Sequence, residues 1–253
     1  MAAKELRTVP KISVKIWRPI ITKLEAKIDA ACLRRDAYLR RVLELELDQL
    51  DAEVSIPNSK ASYDYVFATL DQFDRKLVSL ALPPDLTAKL NDICARKRIV
   101  RDAFFNRLFL LLAAPQKLID RLYFPDYEDW RWRNEVWSEH RHDGPFFPNV
   151  FYPLEPDIDP FWPLRMGIHI ATAEEKLEDF VEPETGARIQ VQCALADGVL
   201  PATSLYTTIF REKVDKDGLD LRGLSCYLPD WEIPGHPAER QQRDKLDALF
   251  AEI

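Results

Sequence analysis

The chain has 253 residues, a formal net charge of −7, 47% apolar and 30% charged residues, which excludes a disordered polymer and describes one or two globular domains. No uncharged apolar run reaches the roughly 18 residues a membrane helix needs, and Met1 to Pro10 lacks the apolar stretch of a secretory signal. Only 7 glycines occur, all at or after Gly144, so the first 143 residues hold no dinucleotide fingerprint and no P-loop.

The charge is unevenly spread. Residues 1–115 carry 20 Lys+Arg and 15 Asp+Glu, a balance of +5, whereas residues 116–253 carry 15 and 27, a balance of −12. Such asymmetry points to a basic binding part and an acidic partner part. Four cysteines, Cys32, Cys94, Cys193 and Cys226, lie far apart with no CxxC pair, which fits a reducing cytoplasm.

The elements follow in chain order. Lys11 to Trp17 alternates polar and apolar residues, the period of a strand with one buried face. Pro19 suits a first helical turn, and Ile20, Leu24 and Ile28 form the stripe of an amphipathic helix. A break near Leu33–Arg35 leads to a second helix from about Arg35 to Gln49. Pro57, Asn58 and Ser59 mark a turn, and Tyr63 to Phe73 suggests a short helix. The opening pattern then returns. Val78, Leu80 and Leu82 define a strand, Pro83-Pro84-Asp85 opens a helix through Ile93, and a break near Arg98–Val100 precedes a helix from Arg101 to Ala114, closed by Pro115.

Residues 116–165 are rich in proline and aromatic residues, with 12 aromatic residues between Tyr123 and Trp162. They read as an irregular connector packed onto a core, although the cluster around Trp130, Trp132 and Trp137 is also compatible with a partner surface. Residues 166–253 read as an α+β domain. Met166 to Ile170, Arg188 to Leu195 and Ser204 to Phe210 are expected as strands. Thr172 to Phe180 is expected as a helix with a Thr172–Glu175 capping box, Asp217-Gly218 as a hairpin turn, and Glu239 to Phe250 as a terminal helix.

Residues 10–50 and 75–114 are an internal repeat, related without a gap by an offset of 66. Ile12, Val14 and Ile16 fall on Val78, Leu80 and Leu82, and Ser13 falls on Ser79. Leu33-Arg34-Arg35-Asp36-Ala37-Tyr38-Leu39-Arg40-Arg41 falls on Ile99-Val100-Arg101-Asp102-Ala103-Phe104-Phe105-Asn106-Arg107, with Arg-Asp-Ala and the later arginine identical. A strand, a helix, a tight break and a second helix, twice over, resembles the ribbon-helix-helix family of DNA-binding proteins.

The resemblance implies a mainly α N-terminal domain over residues 1–115. In it the two short strands would pair as one antiparallel ribbon, making the chain a pseudo-dimer. It further implies a ribbon that enters the major groove of double-stranded DNA, whose base edges carry a distinctive donor and acceptor code. With Ile12, Val14 and Ile16 buried, the outward residues are Lys11, Ser13 and Lys15 in the first strand and Leu77, Ser79 and Ala81 in the second. Lysine donates to guanine and serine donates or accepts. Leu77 and Ala81 offer only apolar contact, either to thymine methyls or to another protein surface. In the family the second helix begins against the DNA backbone, a position held here by Arg34 and Arg35 and by Val100 and Arg101, with Arg75 at the ribbon edge. These arginines are expected at phosphates, against the alternative that they pair with Asp36 and Asp102. Trp17 is expected to anchor the ribbon to its helices.

The remaining signals point nowhere stronger. His140 and His142 beside Asp143 lack the rest of a metal-ligand pattern. Cys193 lies in an apolar strand pattern, so its pairing with His169 does not read as a nucleophile and base. No catalytic motif is present, so neither enzymatic activity nor a cofactor is expected. The expectation is a cytoplasmic, sequence-specific regulator of the kind found in bacteria and mobile elements, acting as a repressor of its own operon. Its acidic C-terminal domain would bind a partner or self-associate. The alternatives are an accessory factor of plasmid conjugation or partition, and a protein-interaction module on a degenerate core.

Overall fold

In the computed structural model, which describes residues 11–123, 161, 164–165, 177–181, 188–192, 204–215 and 218–251, the two alternating segments pair. Lys11–Trp17 is β1 and Arg75–Ala81 is β2, and they run antiparallel with Ser13 opposite Ser79. Because the repeats are offset by 66, Ser13 and Ser79 are also repeat mates. The register therefore places a local two-fold axis through this pair. Val14, Ile16, Val78, Leu80 and the following Leu82 are buried on one face of the ribbon.

Each strand feeds two helices. β1 is followed by α1 (Arg18–Ala30) and α2 (Arg35–Glu53), and β2 by α4 (Pro84–Lys97) and α5 (Arg101–Ala113). Pro19 and Pro84 occupy first-turn positions, where a missing N–H costs nothing. The packing crosses between repeats: α1 lies on α5 and α4 on α2. Lysines from the first helices close the C-termini of the second. Lys97 Nζ donates to the carbonyls of Asp51 (2.9 Å) and Val54 (2.6 Å), and Lys27 Nζ to those of Leu112 (3.3 Å) and Ala114 (3.5 Å), where the helix dipole favours a cation.

The breaks between the helices of each repeat are also equivalent. The Leu33 amide donates to the Ile28 carbonyl (3.0 Å) and the Ile99 amide to that of Cys94 (2.8 Å). This turn needs a left-handed residue at its centre, and non-glycine residues fill it, Cys32 at φ 55° and Arg98 at φ 49°. Cys32 is exposed, so nothing offsets the steric cost of its Cβ. Cys32→Gly is expected to stabilise the fold by about 1 kcal/mol, read as a raised thermal midpoint.

The joining segment holds α3 (Lys60–Asp71), which starts three residues before the helix expected from Tyr63. Ser59 caps it, accepting from the Ser62 amide. Trp17 packs on Phe73 just beyond α3, ring centroids 5.1 Å apart, and anchors the ribbon to this segment. After α5 comes α6 (Gln116–Tyr123), a correction to the expectation that the connector is irregular from residue 116. Proline prevents a helix from continuing past it, but Pro115 starts this one, its carbonyl accepting from the Leu118 and Ile119 amides. Ile119, Leu122 and Tyr123 then make a buried stripe.

Two of the later expectations are also corrected. Leu177–Val181 is a strand, β3, paired antiparallel with β4 (Arg188–Gln192), so the C-terminal end of the expected helix 172–180 joins a ladder instead. Residues 204–210 are turn and irregular structure, because Ser204 and its neighbours bond locally: the Thr207 amide donates to Ser204 Oγ (2.9 Å) and the Ser204 amide to Thr208 Oγ1 (3.1 Å). Such side-chain bonds compete with a ladder. The expected hairpin is present, β5 (Lys213–Val214) with β6 (Leu219–Asp220), and Gly218 takes φ 62° in its turn. The terminal helix, α7, spans Pro237–Ala251. The expected strand Met166 to Ile170 and the Trp130–Trp137 cluster lie outside the described residues.

The described C-terminal residues share the core of the repeats. Leu205, Tyr206, Phe210, Leu221, Leu224, Cys226 and Leu228 join the same buried cluster as α5. Gly223 lets the 3-10 turn Leu221–Leu224 approach α3 closely, since a Cβ there would lie 3.0 Å from the Leu70 amide nitrogen. The architecture of the described residues is thus mostly helical, around a small two-stranded antiparallel sheet near the N-terminus. Among the described residues no helix is long and apolar enough to cross a membrane.

Candidate nucleic-acid interface

Period 2 gives the ribbon two faces, and only the even-numbered one is covered. On the other, Lys11, Ser13, Lys15, Leu77 and Ser79 are exposed and Ala81 is half-buried. The register sets them in three rows: Lys11 opposite Ala81, Ser13 opposite Ser79, and Lys15 opposite Leu77. Leu77 keeps 64% of its surface exposed, more than the other exposed large apolar residues of the described chain. All six base-reading candidates therefore lie on one surface.

The edges of the ribbon are partly covered instead. A two-stranded sheet leaves outward N–H and C=O groups on both strands, and here side chains from the start of α2 and α5 pair with several of them. Arg101 Nη2 donates to the Ser13 carbonyl (3.0 Å), and its repeat mate Arg35 donates from Nη2 to the Ser79 carbonyl (2.8 Å). Asp36 Oδ2 accepts from the Ala81 amide (3.1 Å), and Asp102 accepts from the Lys15 amide in the mirrored contact. The two Arg-Asp pairs that mark the repeat thus peg each helix to the strand of the other half. Burial raises the Asp102 carboxyl above its usual range, against the pull of the Lys15 amide and of Arg101 and Arg75.

These contacts change the reading of the phosphate candidates. Arg35 is held by the ribbon and by Glu25 (3.3 Å) and Asp36 (3.0 Å). Arg101 is held by the ribbon. Arg75 has only 8% of its side chain exposed and pairs with Asp71 and, at 3.9 Å, with Asp102. The alternative of pairing with Asp36 and Asp102 thus holds for Arg35 and Arg75. Arg34, at the N-cap of α2, stays exposed. Its mate Val100 is buried, 5% exposed. Lys11, Lys15 and Arg34 are exposed and make no ion pair among the described residues, so the exposed, unpaired cations among the candidates all belong to the first repeat.

Sequence reasoning missed the side chain beneath one end of the ribbon. Asn106, fully buried, accepts from the Trp17 amide at Oδ1 (2.7 Å) and donates from Nδ2 to the carbonyls of Lys15 (2.9 Å) and Asp102 (2.7 Å). Its repeat mate Arg40 is exposed and pairs with Glu44 at 2.7 Å. The signal was an amide set between the apolar runs 103–105 and 108–113 of α5, where a polar group needs partners.

Nothing in this surface supplies obvious covalent chemistry. Burial pushes the thiols of Cys94 and Cys226 up to about 12, far from a nucleophilic thiolate at neutral pH. Among the described residues no group of three or more His, Cys, Asp or Glu is placed to hold a metal. His140, His142, Asp143, His169 and Cys193 lie outside the described residues. Comparison with protein-family models, with curated proteins and with solved structures returned no match.

Proposed function

We propose that this chain is a sequence-specific, double-stranded DNA-binding regulator that inserts its ribbon in the major groove as a single-chain tandem ribbon-helix-helix. The observation that carries this reading is the uncovered ribbon face. It presents Lys11, Ser13, Lys15 and Ser79 to solvent, while side chains from both repeats occupy the ribbon's edges. With its edges partly covered, the ribbon offers side chains more than backbone. A rigid pair of strands with donors on one face suits a groove about 12 Å wide whose floor displays acceptors. Arg34, exposed at the start of α2, is the cation best placed for a phosphate. The reading includes repression of the chain's own operon in a bacterial cytoplasm, and a partner-binding or self-associating role for the acidic C-terminal half.

The test is binding to the DNA upstream of the chain's own gene across a salt series. Wild type is expected to bind specifically with a steep salt dependence. Lys11→Ala/Lys15→Ala is expected to lose at least ~30-fold in affinity, since each lost base contact costs about 1–3 kcal/mol. The exposed Leu77 favours a second reading, a protein-interaction module using the same face. Absence of specific DNA binding at moderate salt would overturn the first reading in favour of the second.

A further inference from the structure

An ordinary two-fold ribbon carries the same side chains on both strands and therefore asks for an inverted repeat in its DNA. This ribbon does not. The axis through Ser13 and Ser79 exchanges Lys11 with Leu77 and Lys15 with Ala81, so each lysine of β1 has an apolar residue as its image on β2. The polarity of the face is divided between strands, not between ends. One strand reads Lys-Ser-Lys along its outward side and the other Leu-Ser-Ala, and both ends of the ribbon offer one lysine and one apolar side chain.

A ribbon lying along the major groove places one strand over the base edges of one DNA strand and its neighbour over those of the complement. We infer that β1 reads guanines lying on the same DNA strand at both ends of the site, while Leu77 and Ala81 face the pyrimidine edges of the partner bases. Lysine donates to guanine O6 and N7, whereas an apolar side chain offers no donor to a guanine on the complementary strand and makes contact only with a thymine methyl in a neighbouring step. Lys11 and Lys15 lie four positions apart, about 13 Å along a strand. At roughly 3.4 Å per base step, that separates the two guanines by about four base pairs. The site is then directional: the protein binds it in one orientation only.

This inference rests on the DNA-binding reading, and one experiment separates their fates. The full chain is used to enrich binding sequences from a randomised duplex library, and the selected duplexes are tested singly. The expected consensus has two guanines on one strand, and moving one of them to the complement is expected to weaken binding ~10-fold. A consensus that is an inverted repeat, or that lacks guanine, overturns the inference and leaves the DNA reading standing. No enrichment overturns both. Leu77→Lys/Ala81→Lys, which gives β2 the outward pattern of β1, is expected to switch the consensus to an inverted repeat. Leu77→Lys alone, at the more exposed of the two positions, is expected to lift the ~10-fold penalty at one end if the double variant folds poorly.

Discussion

Replacing Arg107 by leucine is expected to destabilise the fold by about 3–5 kcal/mol, the largest effect of any single change considered. Arg107 is completely buried on α5. Its guanidinium is held chiefly by neutral groups: Nε donates to the Leu205 carbonyl (2.6 Å), Nη1 to that of Leu224 (3.4 Å), and Nη2 to that of Thr208 (2.7 Å) and to the Tyr123 hydroxyl (3.3 Å). Its carbon centre also lies 4.1 Å from the centroid of the Phe210 ring, a desolvated cation–π contact worth about 2 kcal/mol. Leucine fills part of the space but leaves several carbonyls buried without a donor, at about 1–3 kcal/mol each. Lysine is expected to recover little, because one ammonium cannot span a set of acceptors that the planar fork reaches in several directions. Denaturant unfolding of the full chain checks this, and a midpoint equal to that of wild type would show that the carbonyl cage holds nothing. Protease cleavage within residues 204–228 is expected to rise in parallel, since these residues are what Arg107 ties down.

The second large effect is expected at Asn106. Asn106→Ala removes the acceptor for the Trp17 amide and the donor for the Lys15 carbonyl, leaving the outer edge of β1 unsatisfied at a cost of about 2–4 kcal/mol. The exposed repeat mate is the control. Arg40→Ala loses only a surface pair with Glu44 and is expected to cost under about 1 kcal/mol. Amide hydrogen exchange gives the local readout: Trp17 should lose protection in Asn106→Ala and keep it in Arg40→Ala. Equal effects of the two substitutions would refute the edge-capping role.

The repeat was legible because strands and helices impose different periods on apolar residues. Ile12, Val14 and Ile16 against Val78, Leu80 and Leu82 define the ribbon face in the sequence, and the antiparallel register then follows the repeat. What could not be read was the use of the polar residues that the two repeats share. The Arg-Asp identity of Arg35-Asp36 and Arg101-Asp102 is compatible with a phosphate site or with an edge cap. Only the positions of the Ser13 and Ser79 carbonyls favour the cap. The strand expected at residues 204–210 failed for a related reason. Residues 204–210 carry the alternation of a strand, but Ser204, Thr207 and Thr208 bond to one another and to their own backbone, and Arg107 takes the carbonyls a partner strand would have used. A helix as apolar as Arg101–Ala113, beside the more polar α2 at the same repeat position, was the available sign that something covers it.

The ribbon is built from two strands of one polypeptide, joined through α3. When such a ribbon forms from separate subunits, dilution dissolves it, and the competent species falls off with the square of the subunit concentration. Here forming it is a unimolecular step. The amount of paired ribbon stays proportional to the amount of chain, so a cell with few copies keeps nearly all of them assembled, and a change in gene dosage is passed on linearly.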